Sequence, residues 1–388
     1  MLSRHFGWPG GFASTPYARG KSAMSYSSDI WEPENIDEEA STRDIVATPR
    51  FSPLRHLGPP MRIGEIAYFD GALAQITVPV ESVGSTYDVI IVGQQQVDGL
   101  HIPSHRATYV YQQVQSIPTV PRRRNDVFQH YSNLIRSRYM GQHVQWSPHY
   151  YMKETLIALA TFGEGNSAVE ADEESRILLL DFQEVLRRML PAKLGFRRLI
   201  IRVPEVVLET TSGTFSLDAL SGGAAAVLDL AWQIFMFKPS GASFVVTLDE
   251  PENHLHPELQ RRVLSDLLAA FPSAQFVVAT HSPFIVGSVA DSNVYVLDYD
   301  EGGRVFASLL DTVNKGGSAN EILRDVLGLQ FTMPVWVESR LAALVNEFSE
   351  KEFTNATLAE LRTQMNGLGL GRLIPETIAQ LAERKEKT

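Results

Sequence analysis

Residues 244–286 read FVVTLDEPENHLHPELQRRVLSDLLAAFPSAQFVVATHSPFIV, and the fold turns on this stretch. Its first part, Phe244 to Leu248, is an apolar, β-branched run with the length of a strand buried in a parallel sheet. The run ends in two adjacent carboxylates, Asp249 and Glu250. A helix is expected from about Pro257, whose fixed φ suits a first turn. A second apolar run, Phe276 to Ala279, predicts another buried strand, which ends in Thr280-His281-Ser282-Pro283. Strand, helix and strand make a βαβ unit with acids and an imidazole at neighbouring strand ends. Open α/β sheets bind their ligands along that edge.

These residue types suit phosphoryl transfer. The reaction needs a metal to neutralise phosphate charge and a carboxylate to orient the attacking water. An acid on a strand tip can reach Mg²⁺ directly or through water. A second acid beside it can serve as general base, and a His one strand over can hydrogen-bond the terminal phosphate. The plainer alternative is a pair of solvated strand-end acids and a His capping a loop. An acidic pair alone favours that alternative; an acidic pair with a His on the next strand favours the functional reading.

The segments TLDEPENHLHPELQ and VVATHSP resemble the Walker B and switch-His segments of ABC-type ATPase heads. The resemblance is to the RecF, OLD-nuclease and SMC-like branch, a group of AAA family ATPases. Upstream, Leu220-Ser221-Gly222-Gly223-Ala224 is similar to the ABC signature LSGGQ, with Ala224 in place of Gln. The likeness covers roughly residues 196–300. It implies ATP and Mg²⁺ as cofactors, Asp249 as the metal-supporting acid, Glu250 as catalytic base and His281 as the γ-phosphate sensor. Ser221, Gly222 and Gly223 would meet the γ-phosphate held by a second subunit, because a serine and backbone N–H groups at a helix start form an anion site.

Working outward, the 388 residues allow a large core or two domains. No apolar run reaches about 18 residues, so no membrane span is expected. The absence of cysteine excludes disulfides, thiolate metal sites and Cys nucleophiles, and fits a cytoplasmic location. With a net charge of −11, the whole chain does not read as a nucleic-acid binder. Residues 101–202 nevertheless hold 14 Lys and Arg against 9 Asp and Glu, including Arg122-Arg123-Arg124. That local excess suits DNA phosphate contact, although no groove-reading motif accompanies it.

Residues 1–60 lack periodicity and read as irregular. They contain Gly20-Lys21-Ser22, the one candidate phosphate loop, with Lys21 and Ser22 as its ligands. The full motif needs a Gly five residues earlier, where Thr15 stands, and no buried strand precedes it. The expectation is therefore a head without a recognisable Walker A, in which MLSRHFG reads as the end of the helix that follows such a loop. The rest divides into an ATPase head over 61–310 and a helical region over 311–388.

Within the head, 61–93 reads as an antiparallel β-subdomain, with runs at Ile63–Tyr68, Leu73–Val78 and Tyr87–Val92. In the Gln94-Gln95-Gln96 run, Gln95 is the candidate for the strand-end Gln that meets Mg²⁺ in ABC heads; the plainer reading of the run is a polar loop. Arg106 could face the nucleotide or pair with an acid. Residues 101–190 read as a helical insertion, with helices at 126–139, 150–161 and 173–189, and carry no long coiled coil. Scattered His143 and His149 lack ligand spacing. The core over 196–310 returns to the sheet through Leu199–Val203 and Val206–Glu209, and Val294–Leu297 and Val305–Ala307 extend it. The tail reads as helices near Val335–Phe348, Leu358–Met365 and Pro375–Glu383, with no nuclease centre.

The expected fold is thus α/β: an ABC-type head with a β-subdomain, a helical insertion and a helical tail. The expected function is a homodimeric ATP-driven switch, closed through its nucleotide sites, that gates a separate effector such as a nuclease in DNA repair or phage defence. One alternative is a non-hydrolysing scaffold lacking the phosphate loop. The other is a transporter ATPase subunit, against which stand the residues after Glu250 and the large insertion.

Overall fold

A computed structural model describes residues 61–381 except 69, 79–80, 83–85, 88, 105, 107–110, 140, 238, 240, 301–304, 311–315, 328–334, 350, 352–353, 376 and 379–380, together with 12–13 and 56–57. The Gly20-Lys21-Ser22 candidate lies outside the described residues. The chain divides into two compact units, Met1–Leu310 and Asp311–Thr388.

In the first unit, β1 (Met61–Ala67), β2 (Leu73–Val78) and β3 (Ile90–Val92) form an antiparallel sheet in that order. Alternation along β2 buries Ala74, Ile76 and Val78 and exposes Leu73 and Gln75, the pattern of a sheet with one wet face. The strand β4 (Gly99–Ile102) then leads into three helices: α1 (Arg124–Tyr139), α2 (Pro148–Glu164) and α3 (Glu173–Met189). Their starts follow from local chemistry. Ser147 accepts the Tyr150 amide with Pro148 at the first helical position, and Asp172 accepts the Ser175 amide. The third helix also carries Glu173 and Glu174 in its first turn and Arg187 and Arg188 in its last, matching the helix dipole.

Next come β5 (Phe196–Arg202), β6 (Glu205–Thr210) and β7 (Gly213–Ser216). Their composition predicts that the first two join the main sheet. They form a separate antiparallel sheet with β7 instead, because their connections are hairpin-short and parallel pairing requires a crossover of a dozen residues or more. The main sheet is completed after α4 (Gly222–Met236) by β8 (Phe244–Asp249), a single turn at Pro257–Gln260, α5 (Val263–Ala270) and β9 (Ala274–Ala279). All three strands are parallel, with β8 between β9 and β4. The βαβ unit is therefore present, with its helix interrupted at Arg261 and Arg262. The strand β9 is not buried as its composition predicts: Gln275, Val277 and Ala279 are exposed, since it forms the sheet's edge and packs one face. A hairpin of β10 (Tyr295–Tyr299) and β11 (Val305–Leu309) follows. It pairs with itself and does not extend the main sheet.

The core centres on α4, whose residues Ala224 to Met236 are all buried. Trp232 meets Phe182 of α3 edge-on at 4.9 Å, and Leu156 of α2 and Val246 and Leu248 of β8 complete the same cluster. Each such side chain contributes about 1.5–3 kcal/mol on burial. Arg124 closes the far end of α4 by donating to the Phe235 and Phe237 carbonyls. In the second unit, α6 (Val335–Ser349) and α7 (Asn355–Gly367) bury Leu344, Val345, Phe348, Leu361 and Met365 in a core of their own. The expected helix over 375–383 is described only in part. Among the described residues, no helix is long and apolar enough to cross a membrane.

Candidate functional site

The carboxyl edge of the parallel sheet gathers the acidic pair and the His-bearing segment. Asp249 is the last residue of β8 and lies level with Ala279 of β9. The Glu250 amide donates to the Ala279 carbonyl at 2.9 Å, so the two strand tips stay joined past the ladder. Glu250 then turns the chain with φ 44°, a left-handed conformation that costs a non-glycine residue about 1–3 kcal/mol. The residues after it offset that cost. Asn253 Nδ2 donates to Glu250 Oε2 at 2.9 Å and to the Ser104 carbonyl at 3.3 Å. The Asn253 amide returns to the Glu250 carbonyl at 3.1 Å.

Glu252 fastens this turn to the next strand end. Its Oε1 accepts Thr280 Oγ1 at 2.6 Å and the His281 amide at 3.1 Å. His281 itself is exposed, beside half-buried Thr280. Arg106 approaches from the segment after β4, and its Nη2 donates to the carbonyls of Glu250, Pro251 and Asn253 at 3.2, 3.0 and 2.9 Å. Burial pulls its guanidinium below the ordinary value, against the carboxylates of Asp229, Glu252, Glu250 and Asp249. Asp229, on α4, is pushed up by burial, opposed by hydrogen bonds from Tyr131 and Gln233 and by the Arg106 charge.

The signature segment caps α4. Ser221 is the N-cap, its hydroxyl accepting the Ala224 amide at 3.5 Å, and both Ser221 and Gly222 are exposed. Gly223 touches the acidic loop: a Cβ there would lie 3.3 Å from the His254 carbonyl and 3.2 Å from Leu259 Cδ1. Glycine lets the helix start sit against the loop that follows Glu250. The segment before the signature is fixed by a buried cluster in which Lys153 Nζ reaches Asp218 Oδ2 at 2.7 Å and His149 Nε2 lies 3.1 Å from Asp218 Oδ1. Burial holds the His149 imidazole low, opposed by Asp218. This accounts for His149 as an interior packing residue.

Gln95 is exposed and precedes β4, whose carboxyl end, not its amino end, reaches the acidic edge. Asp98, three residues on, already pairs at the opposite edge by accepting the Val245 amide at 2.9 Å. The strand end that does reach the site carries Ser104 and Arg106. The arginine run has internal partners: Arg122 pairs with Glu154, Arg123 with Asp172 and Glu174, and Arg124 with α4 carbonyls. Arg122 and Arg123 keep 30% and 44% of their side chains exposed beside these partners. Glu252 and Asn253 carry no site signal in the sequence, where a polar turn after a strand reads as a solvated loop.

No group of three or more His, Asp or Glu positioned for a metal occurs among the described residues. Mg²⁺ in phosphoryl-transfer sites takes one or two carboxylates plus substrate phosphates and water, so Asp249 on its strand tip fits that donor set.

This geometry agrees with sequence relationships. The family described as "AAA domain, putative AbiEii toxin, Type IV TA system" matches residues 174–287. Over these residues, mixed α/β in structure, the chain is similar to AAA-type ATPase domains. A Septu protein PtuA from Bacillus thuringiensis is 28% identical over 150 residues, covering 35% of this chain and 38% of that protein. The retron Ec83 probable ATPase of Escherichia coli is 24% identical over 177 residues, covering 43% of this chain and 31% of that one. The chain thus spans well under half the length of these relatives. The SMC head domain from Thermotoga maritima superposes with a TM-score of 0.33 at 10% identity, over 64% of this chain and 72% of that one.

Proposed function

We infer that the chain is an ATP-hydrolysing head that works as a paired switch. The observation that carries this reading is the turn at Glu250: a carboxylate on a sheet tip, oriented by Asn253 and joined through Glu252 to the backbone of His281. Glu250 would accept the proton of the attacking water, the role a positioned carboxylate plays in general base catalysis. Asn253, by holding Oε2, sets which way the carboxylate faces. His281 would hydrogen-bond the terminal phosphate from the neighbouring strand end. Asp249 would hold Mg²⁺, which neutralises phosphate charge when bound. Ser221, Gly222 and Gly223, at the open start of α4, would meet the phosphate carried by a second copy.

The setting we favour is defence against phage, with a separate effector under the head's control. It is supported by likeness to a Septu protein and a retron ATPase. The test is ATP turnover with Mg²⁺ in the parent and in Glu250→Gln. Turnover in the parent, reduced about 100-fold or more in the variant, is expected for loss of a general base. A parent that neither binds nor hydrolyses ATP would sink the reading and favour a scaffold.

A further inference from the structure

Arg106 Nη2, with its two N–H groups, lies within hydrogen-bond reach of three backbone carbonyls of one short turn: Glu250, Pro251 and Asn253. The first of those residues is the one in the left-handed region, and the last donates its side chain to the Glu250 carboxylate. Carbonyl oxygens turned toward one point inside a protein repel each other unless a cation or a set of donors lies there. The Arg106 guanidinium supplies both, from a strand end on the opposite side of β8 from β9. Thus the turn is gripped from both flanks: Glu252 ties it to the β9 end, and Arg106 ties it to the segment after β4.

We propose that Arg106 is the positioning residue for Glu250, fixing the carboxylate through the backbone of the 250–253 turn. It touches no reacting atom in this role. A side chain that stiffens a catalytic turn affects the chemical step more than substrate capture, because misplacing a reacting group by about 1 Å costs about 100-fold in rate. The carboxylates of Asp229, Glu252, Glu250 and Asp249 around the guanidinium keep it charged despite its burial.

This inference rests on the hydrolytic reading above, so its test has one arm that needs no turnover. In hydrogen exchange of the full chain, Arg106→Gln is expected to speed the amides of Asn253 and Leu255, which bond to the Glu250 and Glu252 carbonyls, while α4 amides keep their protection. In turnover assays, Arg106→Gln is expected to lower kcat by about 100-fold, with the nucleotide Kd changed by less than about threefold. In a Glu250→Gln background it is expected to cost nothing further, since residues acting as one unit are not additive. Arg106→Lys, which keeps the charge on a shorter stem, gives the same pattern with smaller amplitude and replaces Arg106→Gln if that variant fails to fold. Unchanged exchange over 250–255, or a full additional loss in the Glu250→Gln background, would overturn the proposal. Faster exchange in a chain without ATP turnover would uphold the clamp and reject the hydrolytic reading instead.

Discussion

The turn after Asp249 is held by polar atoms, whereas the helix after Ser221 is held by apolar burial. At the turn, Arg106, Glu252 and Asn253 spend their side chains on backbone groups and on Glu250, and two non-glycine residues, Glu250 and His254, take left-handed backbone angles. In α4, every residue from Ala224 to Met236 is buried and only the first two positions of the segment, Ser221 and Gly222, face outward. A polar clamp fixes direction, and its loss leaves buried carbonyls without a donor at about 1–3 kcal/mol each; an apolar helix fixes position through burial. The two meet where Gly223 touches the His254 carbonyl. A displacement of either therefore reaches the other.

The largest expected effect tests the apolar half. Trp232 is fully buried and packs edge-on against Phe182. Trp232→Ala should lower unfolding free energy by about 3–5 kcal/mol, the cost of removing a buried aromatic and leaving a cavity. A urea unfolding midpoint measures it. A loss comparable to a surface change would mean that α4 is not the structural centre of the head.

The second test concerns the sheet between the two regions. His101 on β4 lies 2.8 Å from Thr247 Oγ1 of β8, and burial lowers its pKa from 6.5 to about 4. Above pH 6.5 the imidazole is neutral both folded and unfolded, so it adds no pH dependence. As pH falls from 6.5 toward 4, the unfolded chain takes up the proton first, and stability declines across that window. Burial of His149 acts with the same sign. Unfolding midpoints at pH 7.5, 6 and 5 should fall in that order, and His101→Asn should flatten the slope. A slope unchanged by the substitution would show that His101 is as solvated in the folded chain as in the unfolded one.

Much of this molecule was legible in its sequence, and the reasons differ by region. The three insertion helices and the β1–β2–β3 meander follow from periodicity and caps, which are local signals. The βαβ core followed from the run Phe244–Asp249 and its counterpart at Phe276, because parallel strands are apolar throughout. The allocation of strands to sheets was not legible: Leu199–Val203 and Tyr295–Tyr299 carry the same composition as main-sheet strands, and only loop length separates them. At the site, Asp249, Glu250 and His281 stand out because charge follows an apolar strand. Arg106 stands out as a candidate for the nucleotide or for an acid, but its carbonyl partners some 145 positions away are a relationship that side-chain types do not encode. Gln95 follows the run Tyr87–Val92 and stands exposed ahead of β4, in keeping with the polar-loop reading of the glutamine run.

The smallest expected effect on stability bears most directly on what the start of α4 is for. Ser221 caps the helix with a hydrogen bond of 3.5 Å, at the outer limit for such a contact. Ser221→Ala should therefore cost only about 0.5 kcal/mol of stability, the low end for losing an N-cap. If Ser221 meets the phosphate of a second copy, its hydroxyl instead makes a hydrogen bond to a charged group, worth about 1.5–3 kcal/mol. Turnover would then fall by about tenfold or more, and most at protein concentrations where pairing is incomplete. Measuring the unfolding midpoint and the concentration dependence of ATP turnover on the same preparation separates the two roles. A matched small change in both would make Ser221 a helix cap and nothing more, and the exposed end of α4 would lose its claim to a partner's nucleotide.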